Sequence, residues 1–160
     1  AGLVAPSLLS YASTAALQAS ARQLATSINL GRQLAISRNT TVCVEVVART
    51  DIRLRMGGCS GTIWTGPGTN DSGAIAISDS TPLRISSTAN VVFTSLGAAS
   101  PAGTYTVTNP ASNQTRAVVV AATGRVSGTP ASIKARVPAQ MEAMEVEPFD
   151  SMISLVMRMA

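Results

Sequence analysis

The chain is expected to be an α+β protein: a long N-terminal helix followed by an antiparallel β-sheet or β-sandwich head. Three observations carry this. Apolar residues recur at three- and four-residue steps as far as about residue 37. From Thr40 the period changes to two. The core has to be built from Ala, Val, Ile and Leu, because hydrophobic residues make up 46 % of the chain and aromatics only 3 %. At 160 residues there is enough chain for one domain with a real core and too little for two comfortable ones.

The helix is expected over about residues 6–37. Pro6 is tolerated in a first turn. Leu17, Ala21, Leu24, Ile28, Gly31 and Ala35 form one narrow apolar stripe, while Gln18, Arg22, Ser27 and Arg32 belong to the other face. Gly31 inside the stripe costs about 1 kcal/mol relative to Ala, which implies that another backbone approaches there. Leu24, Ile28, Gly31 and Ala35 are the candidate residues for packing the helix onto the head. Asn39 is a plausible left-handed stop. The first charge is Arg22, yet Ser7, Ser10, Ser13, Thr14, Gln18 and Ser20 are too many polar groups for a helix buried in lipid. Residue 1 is therefore expected to be a cut inside a longer helix.

Strands follow. "TTVCVEVVA" (40–48) and "DIRLRM" (51–56) form a hairpin with one apolar face and one bearing Arg53 and Arg55. "TGPGTNDSG" (65–73) is a turn cluster. "AIAIS", "LRIS" and "VVFTS" are short strands, and "GTYTVTN" pairs with "TRAVVVAATGRVS" through "PASNQ". Six to eight strands are expected, with "ASIKARV" as a further candidate. The resulting division is 1–38 for the C-terminal half of a stem helix, 39–137 for the β-rich head and 138–160 for an acidic, Met-rich tail. In the tail, Phe149, Met152, Ile153, Val156 and Met157 fit a helical template, with a frayed end as the competing reading.

Charge is scarce and uneven. Residues 1–140 hold eleven basic and four acidic groups, net +7, whereas residues 141–160 carry net −3. Two basic groupings could neutralise phosphates: Arg49, Arg53 and Arg55 on one hairpin, and Arg125, Lys134 and Arg136 further on. Only one Trp, Trp64, is available for base stacking, and its simpler role is to pack the loop after Cys59 onto the sheet.

Chemistry is hard to assemble. The chain has no His, which removes the commonest general base and metal ligand. A Ser–Lys134 dyad is formally available, but Lys134 lies in the most weakly patterned part of the chain. No Gly-rich loop leads from a strand into a helix. "TNDSG" with Asp79 is a turn before it is a calcium site. No catalytic, cofactor-binding or metal-ligating residue is assigned. Cys43 and Cys59 are the candidate disulfide, worth about 3 kcal/mol in the chain-entropy model; two buried thiols are the alternative.

The order of these features resembles the GspH/FimT family of type II secretion pseudopilins and type IV pilus minor pilins. The resemblance rests on Arg32, Ala35-Ile36, Arg38-Asn39, Val42 and Cys43 at the joint, then on Cys59, Trp64 and Gly66. Phe93 with Gly97, and "RAVVVAATGRVS" with Gly124-Arg125, complete it. It spans about residues 3–127. It implies a type IV pilin-like fold and a structural subunit that helps initiate, cap or tip a filament, rather than an enzyme. It also implies inner-membrane anchoring through an upstream apolar segment, a periplasmic head, and other pilins or pseudopilins as partners. Members that bind DNA through a "G-R-x-R" tail would have Arg where this chain has Ser127, so DNA uptake is the lesser implication.

Overall fold

The computed structural model describes residues 5–79 and 82–129. Helix α1 spans Ala5–Ser37, about 50 Å at the α-helical rise. Its end is a Schellman stop: the Thr40 amide donates to Ala35 O and the Asn39 amide to Ile36 O, with Asn39 at φ 48°. The chain then turns directly into β1.

Nine strands follow among the described residues: β1 (Val42–Val46), β2 (Asp51–Met56), β3 (Thr62–Ile63), β4 (Ala74–Ala76), β5 (Arg84–Ser87), β6 (Val91–Phe93), β7 (Gly103–Asn109), β8 (Gln114–Val120) and β9 (Val126–Thr129). They form two antiparallel sheets. One runs β3-β2-β1-β6, with β4 also pairing β2; the other runs β5-β7-β8-β9. The "TRAVVVAATGRVS" segment is two strands rather than one. The Gly124 amide donates to Ala121 O and the Ala121 amide to Arg125 O, closing a tight turn between β8 and β9. "ASIKARV" and the Met-rich tail lie outside the described residues.

Helix α1 packs against β1 and β6 of one sheet and β7, β8 and β9 of the other. Leu17, Leu24, Ile28 and Ala35 are fully or almost fully buried, in one cluster with Val42, Val44, Ile52, Leu54, Phe93, Tyr105 and Val118. The buried strip is wider than the apolar stripe, because Ser20 and Ser27 are also buried. Ser20 is accommodated by donating its hydroxyl to Ala16 O at 2.8 Å, a back-bond that helical Ser makes readily. The head's last hold is at Thr14, whose hydroxyl donates to Gln114 Oε1 of β8 at 3.2 Å; ahead of that the helix leaves it, with Leu8, Leu9 and Tyr11 all exposed.

Tyr105 joins the sheets. From β7 its hydroxyl donates to Val44 O at 2.8 Å and accepts from the Val91 amide at 3.1 Å. Val44 and Val91 face each other across β1 and β6, so one phenol from the second sheet completes the end of a ladder in the first. Tyr105→Phe is expected to cost about 1–3 kcal/mol, since two buried backbone groups lose their partner. Burial pushes the phenol up to about 12, slightly offset by the Val91 amide. The unfolded chain ionises near pH 10. Stability from this residue is therefore intact below about pH 10 and is lost as pH rises towards 12, by at most about 1.4 kcal/mol per pH unit. Urea midpoints of parent and variant at pH 8 and pH 11 check both points: the gap between them should narrow at the higher pH.

Candidate functional site

The residues that carry the sequence resemblance converge on the joint between helix and head. Gly31 lies against the first sheet; a Cβ there would stand 3.2 Å from both Leu54 Cδ2 and Val44 Cγ2. The absent side chain is what lets α1 settle over β1 and β2, and Leu24, Ile28 and Ala35 are buried along the same strip.

One turn on, Arg32 leaves the helix sideways. Its Nε donates to Gly97 O at 2.9 Å. Gly97, at φ +82°, sits in the turn after β6, where its amide donates to Thr94 O. A Cβ on Gly97 would stand 2.8 Å from Ile36 Cδ1. Gly124, at φ +79°, belongs to the β8–β9 turn, and a Cβ there would overlap Gly97 O itself. Helix, first sheet and second sheet thus meet at Arg32, Gly97 and Gly124. The sequence pattern placed Arg32 on the face opposite the apolar stripe. In the structure it is partly buried and committed to a carbonyl on the head, and the last turn of α1 carries no basic residue.

Cys43 and Cys59 form a disulfide with Cα atoms 4.9 Å apart. Cys43 is buried in β1 and Cys59 lies beyond the end of β2, so the bond ties the exit of the hairpin back to its first strand. Trp64 follows: its amide donates to Leu54 O and its ring packs on the core. Gly66 is pressed against that ring so closely that a Cβ would overlap it. The turn cluster is held by Asn70, whose Oδ1 accepts from the amides of Ser72 and Ala74 and from the Ser72 hydroxyl. That is a turn, and no group of three or more metal-ligating side chains occurs among the described residues.

The basic positions separate. Glu45, opposite Arg53 and next to Arg55 on the facing strand, accepts from Arg55 Nε and lies 3.9 Å from Arg53 Nη1. Arg55 also donates to Gly61 O at 3.1 Å. The Arg-bearing face of the hairpin is therefore largely engaged within the head, because Glu45 projects from β1 on the same side as both Arg residues. Arg125 is exposed in the turn after Gly124. Lys134 and Arg136 lie outside the described residues. Sequence reasoning missed Tyr105 as a joint. The usable signal was a Tyr at an inward register position of a strand, in a chain with only two Tyr and almost free of other aromatics.

A shallow cleft of about 380 Å³ runs between α1 and β4, lined by Gln23, Thr26 and Gln33 with Pro67, Ile75 and Ala76. Amides, hydroxyls and alkyl groups meet there without a titratable side chain. No helix among the described residues is long and apolar enough to cross a membrane.

A long helix half-sunk in a two-sheet head, with its first turns standing clear, is a pilin-like fold. Residues 20–124 match the model of the family described as type II transport protein GspH, and the chain belongs to that family. Solved structures share the fold at low identity. The type IV minor pilin FimU of Pseudomonas aeruginosa is 16 % identical with TM-score 0.58, over 75 % of this chain and 92 % of that one. The minor pseudopilin EpsH from the type 2 secretion system of Vibrio cholerae is 10 % identical with TM-score 0.55, over 71 % and 96 %. Escherichia coli GspH is 14 % identical with TM-score 0.53, over 71 % and 87 %. No curated protein matches the chain by sequence.

Proposed function

We propose that the protein is a minor pilin or pseudopilin that helps initiate, cap or tip a filament. Its stem helix packs among those of neighbouring subunits, and its head is carried on the outside or at the tip. The observation that best supports this is the division of α1. From Leu17 onward the helix is buried against its own head, whereas Leu8, Leu9 and Tyr11 are exposed on turns that the head does not cover. Apolar residues clear of the fold favour a partner helix or lipid over water. The same reading has the protein anchored in the inner membrane through an apolar stretch upstream, with the head in the periplasm, and needs no catalytic group.

The test is genetic and physical together. Deleting the gene is expected to abolish either surface piliation or type II secretion, and the parent gene to restore it. A Leu9→Asp variant is expected to accumulate as a folded protein yet fail to restore it, because a charge is placed on the uncovered turns. Full activity of the deletion strain in both assays, or full rescue by Leu9→Asp, would falsify the proposal.

A further inference from the structure

The cleft beside Gln23 does not stop at β4. It continues into a second depression of about 340 Å³, between Ala16, Ala19 and Ser20 on the helix and Ile77, Ser78 and Asp79 across from them. Gln23 and Ala76 line both parts. One groove therefore follows α1 from Gln33 back to Ala16, about 26 Å at the helical rise. Its other wall takes in Ile75, Ala76 and Ile77 in succession. Side chains of a strand alternate between its faces, so a groove touched by successive residues runs along the strand's edge.

That edge carries unused backbone groups. On its other side β4 pairs β2, with Ile75 opposite Ile52 and Ala76 opposite Asp51, and the Ile77 amide donates to Thr50 O. Ile75 and Ile77 thus turn their amides and carbonyls towards β2, and Ala74 and Ala76 turn theirs away. Those of Ala74 are used within the chain: its amide donates to Asn70 Oδ1 and its carbonyl accepts from the Asn70 amide, both at 2.9 Å. Among the described residues those of Ala76 have no partner, and neither has the Gln23 side-chain amide. The far edge of the same sheet is closed, because the Ser100 amide donates to Val92 O and Ala99 bridges Phe93. Open edges are commonly guarded by Lys or Pro; "AIAIS" (74–78) has neither.

We infer that this groove takes an extended peptide segment of another protein, added antiparallel to the edge of β4. One edge of the segment pairs with the Ala76 backbone and the other meets the Gln23 amide, a strand addition in which main-chain bonds supply the affinity. The groove holds about seven residues of extended chain. Charge fixes the rest. Among the described residues the one titratable side chain lining the groove is Asp79, at the Ala16 end, and β4 runs towards it. The segment is therefore neutral along its length, with a basic residue at its N-terminal end. The inference does not depend on the filament role, which rests on the uncovered turns of α1 and not on this edge of the head.

The test titrates the isotope-enriched full chain, its disulfide intact, with the peptide Lys-Thr-Val-Thr-Ala-Ser-Thr, acetylated and amidated so that Lys is its single charge. A generic sequence is a sufficient probe because the pairing is through the main chain. Shifts are expected at the Ala76 amide and at the Gln23 side-chain amide, and exchange of the Ala76 amide should slow by about tenfold or more at saturation. Asp79→Asn, or moving Lys to the other end of the peptide, should weaken binding by about threefold, the size of an exposed ion pair. Ala76→Pro should abolish binding and keep the ladder, since the lost amide points away from β2. A fully N-methylated peptide checks the same pairing without altering the protein, and should not bind. Four results overturn the inference: no shift at Ala76 and Gln23; binding that survives both Ala76→Pro and N-methylation; affinity unchanged by both charge alterations; or the same shifts on concentrating the protein alone, which would put a second copy in the groove.

Discussion

Gly124→Ala is expected to lower the unfolding free energy by on the order of 4 kcal/mol, among the largest effects of any single methyl in this protein. Two costs add. A side chain at φ +79° is strained by roughly 1–2 kcal/mol. The new Cβ also overlaps Gly97 O, the atom that accepts from Arg32. Relief requires the β8–β9 turn to move off the β6 turn, which takes Gly97 O away from the guanidinium and exposes the joint. Gly68→Ala is the control. It has a similar φ of +87° but open space around the Cβ position, so only the backbone strain remains. Urea unfolding of the two variants should separate them by about 2–3 kcal/mol. Equal losses would show that strain alone matters and that the contact between the two turns carries no weight. Arg32→Ala should cost about 1.5–3 kcal/mol through the orphaned carbonyl. Its effect should add less than fully to that of Gly124→Ala, because both act on one atom.

Removing the disulfide is the second large effect. The oxidised chain closes a loop of 16 residues of separation, and opening it should cost about 3 kcal/mol, mostly by freeing the unfolded ensemble. What the native state loses is local. The hairpin register from Val42–Met56 to Val46–Ile52 is held by backbone pairing and by Leu54 in the core. The turn after β2, with Gly57 and Gly58 both at positive φ, depends more on Cys59. The paired Cys43→Ala and Cys59→Ala variant is therefore expected to keep its sheet signature, shift its denaturant midpoint, and lose amide-exchange protection first around residues 57–63. An unchanged midpoint with and without reductant would refute the estimate.

Much of the fold was legible because it rests on periodicity. The stripe from Leu17 to Ala35 marked the buried side of the helix, and the switch at Thr40 marked the joint to within two residues, with Asn39 as its stop. What was not legible was convergence. Arg32, Gly97 and Gly124 stand 65 and 27 residues apart. Each could be read locally as a helix charge or a turn glycine, and nothing local says that one carbonyl serves all three. Tyr105 escaped for the same reason, because its partners lie on strands of the other sheet. The pairing of the hairpin arginines was equally hidden: three positive charges are visible in sequence, but Glu45 meets two of them only once β1 and β2 are in register. The split of the last long segment into β8 and β9 was hidden because "AATGR" breaks the alternation for only five residues.

The strip buried between α1 and the head runs along the helix axis, from Leu17 to Ala35, over about 27 Å. A pull on the uncovered end is therefore directed along that strip. Contacts loaded in this way share the load and must fail together, as in a lap joint, whereas contacts arranged across the pull would peel one after another. The same helix that carries the head also makes it hard to tear off.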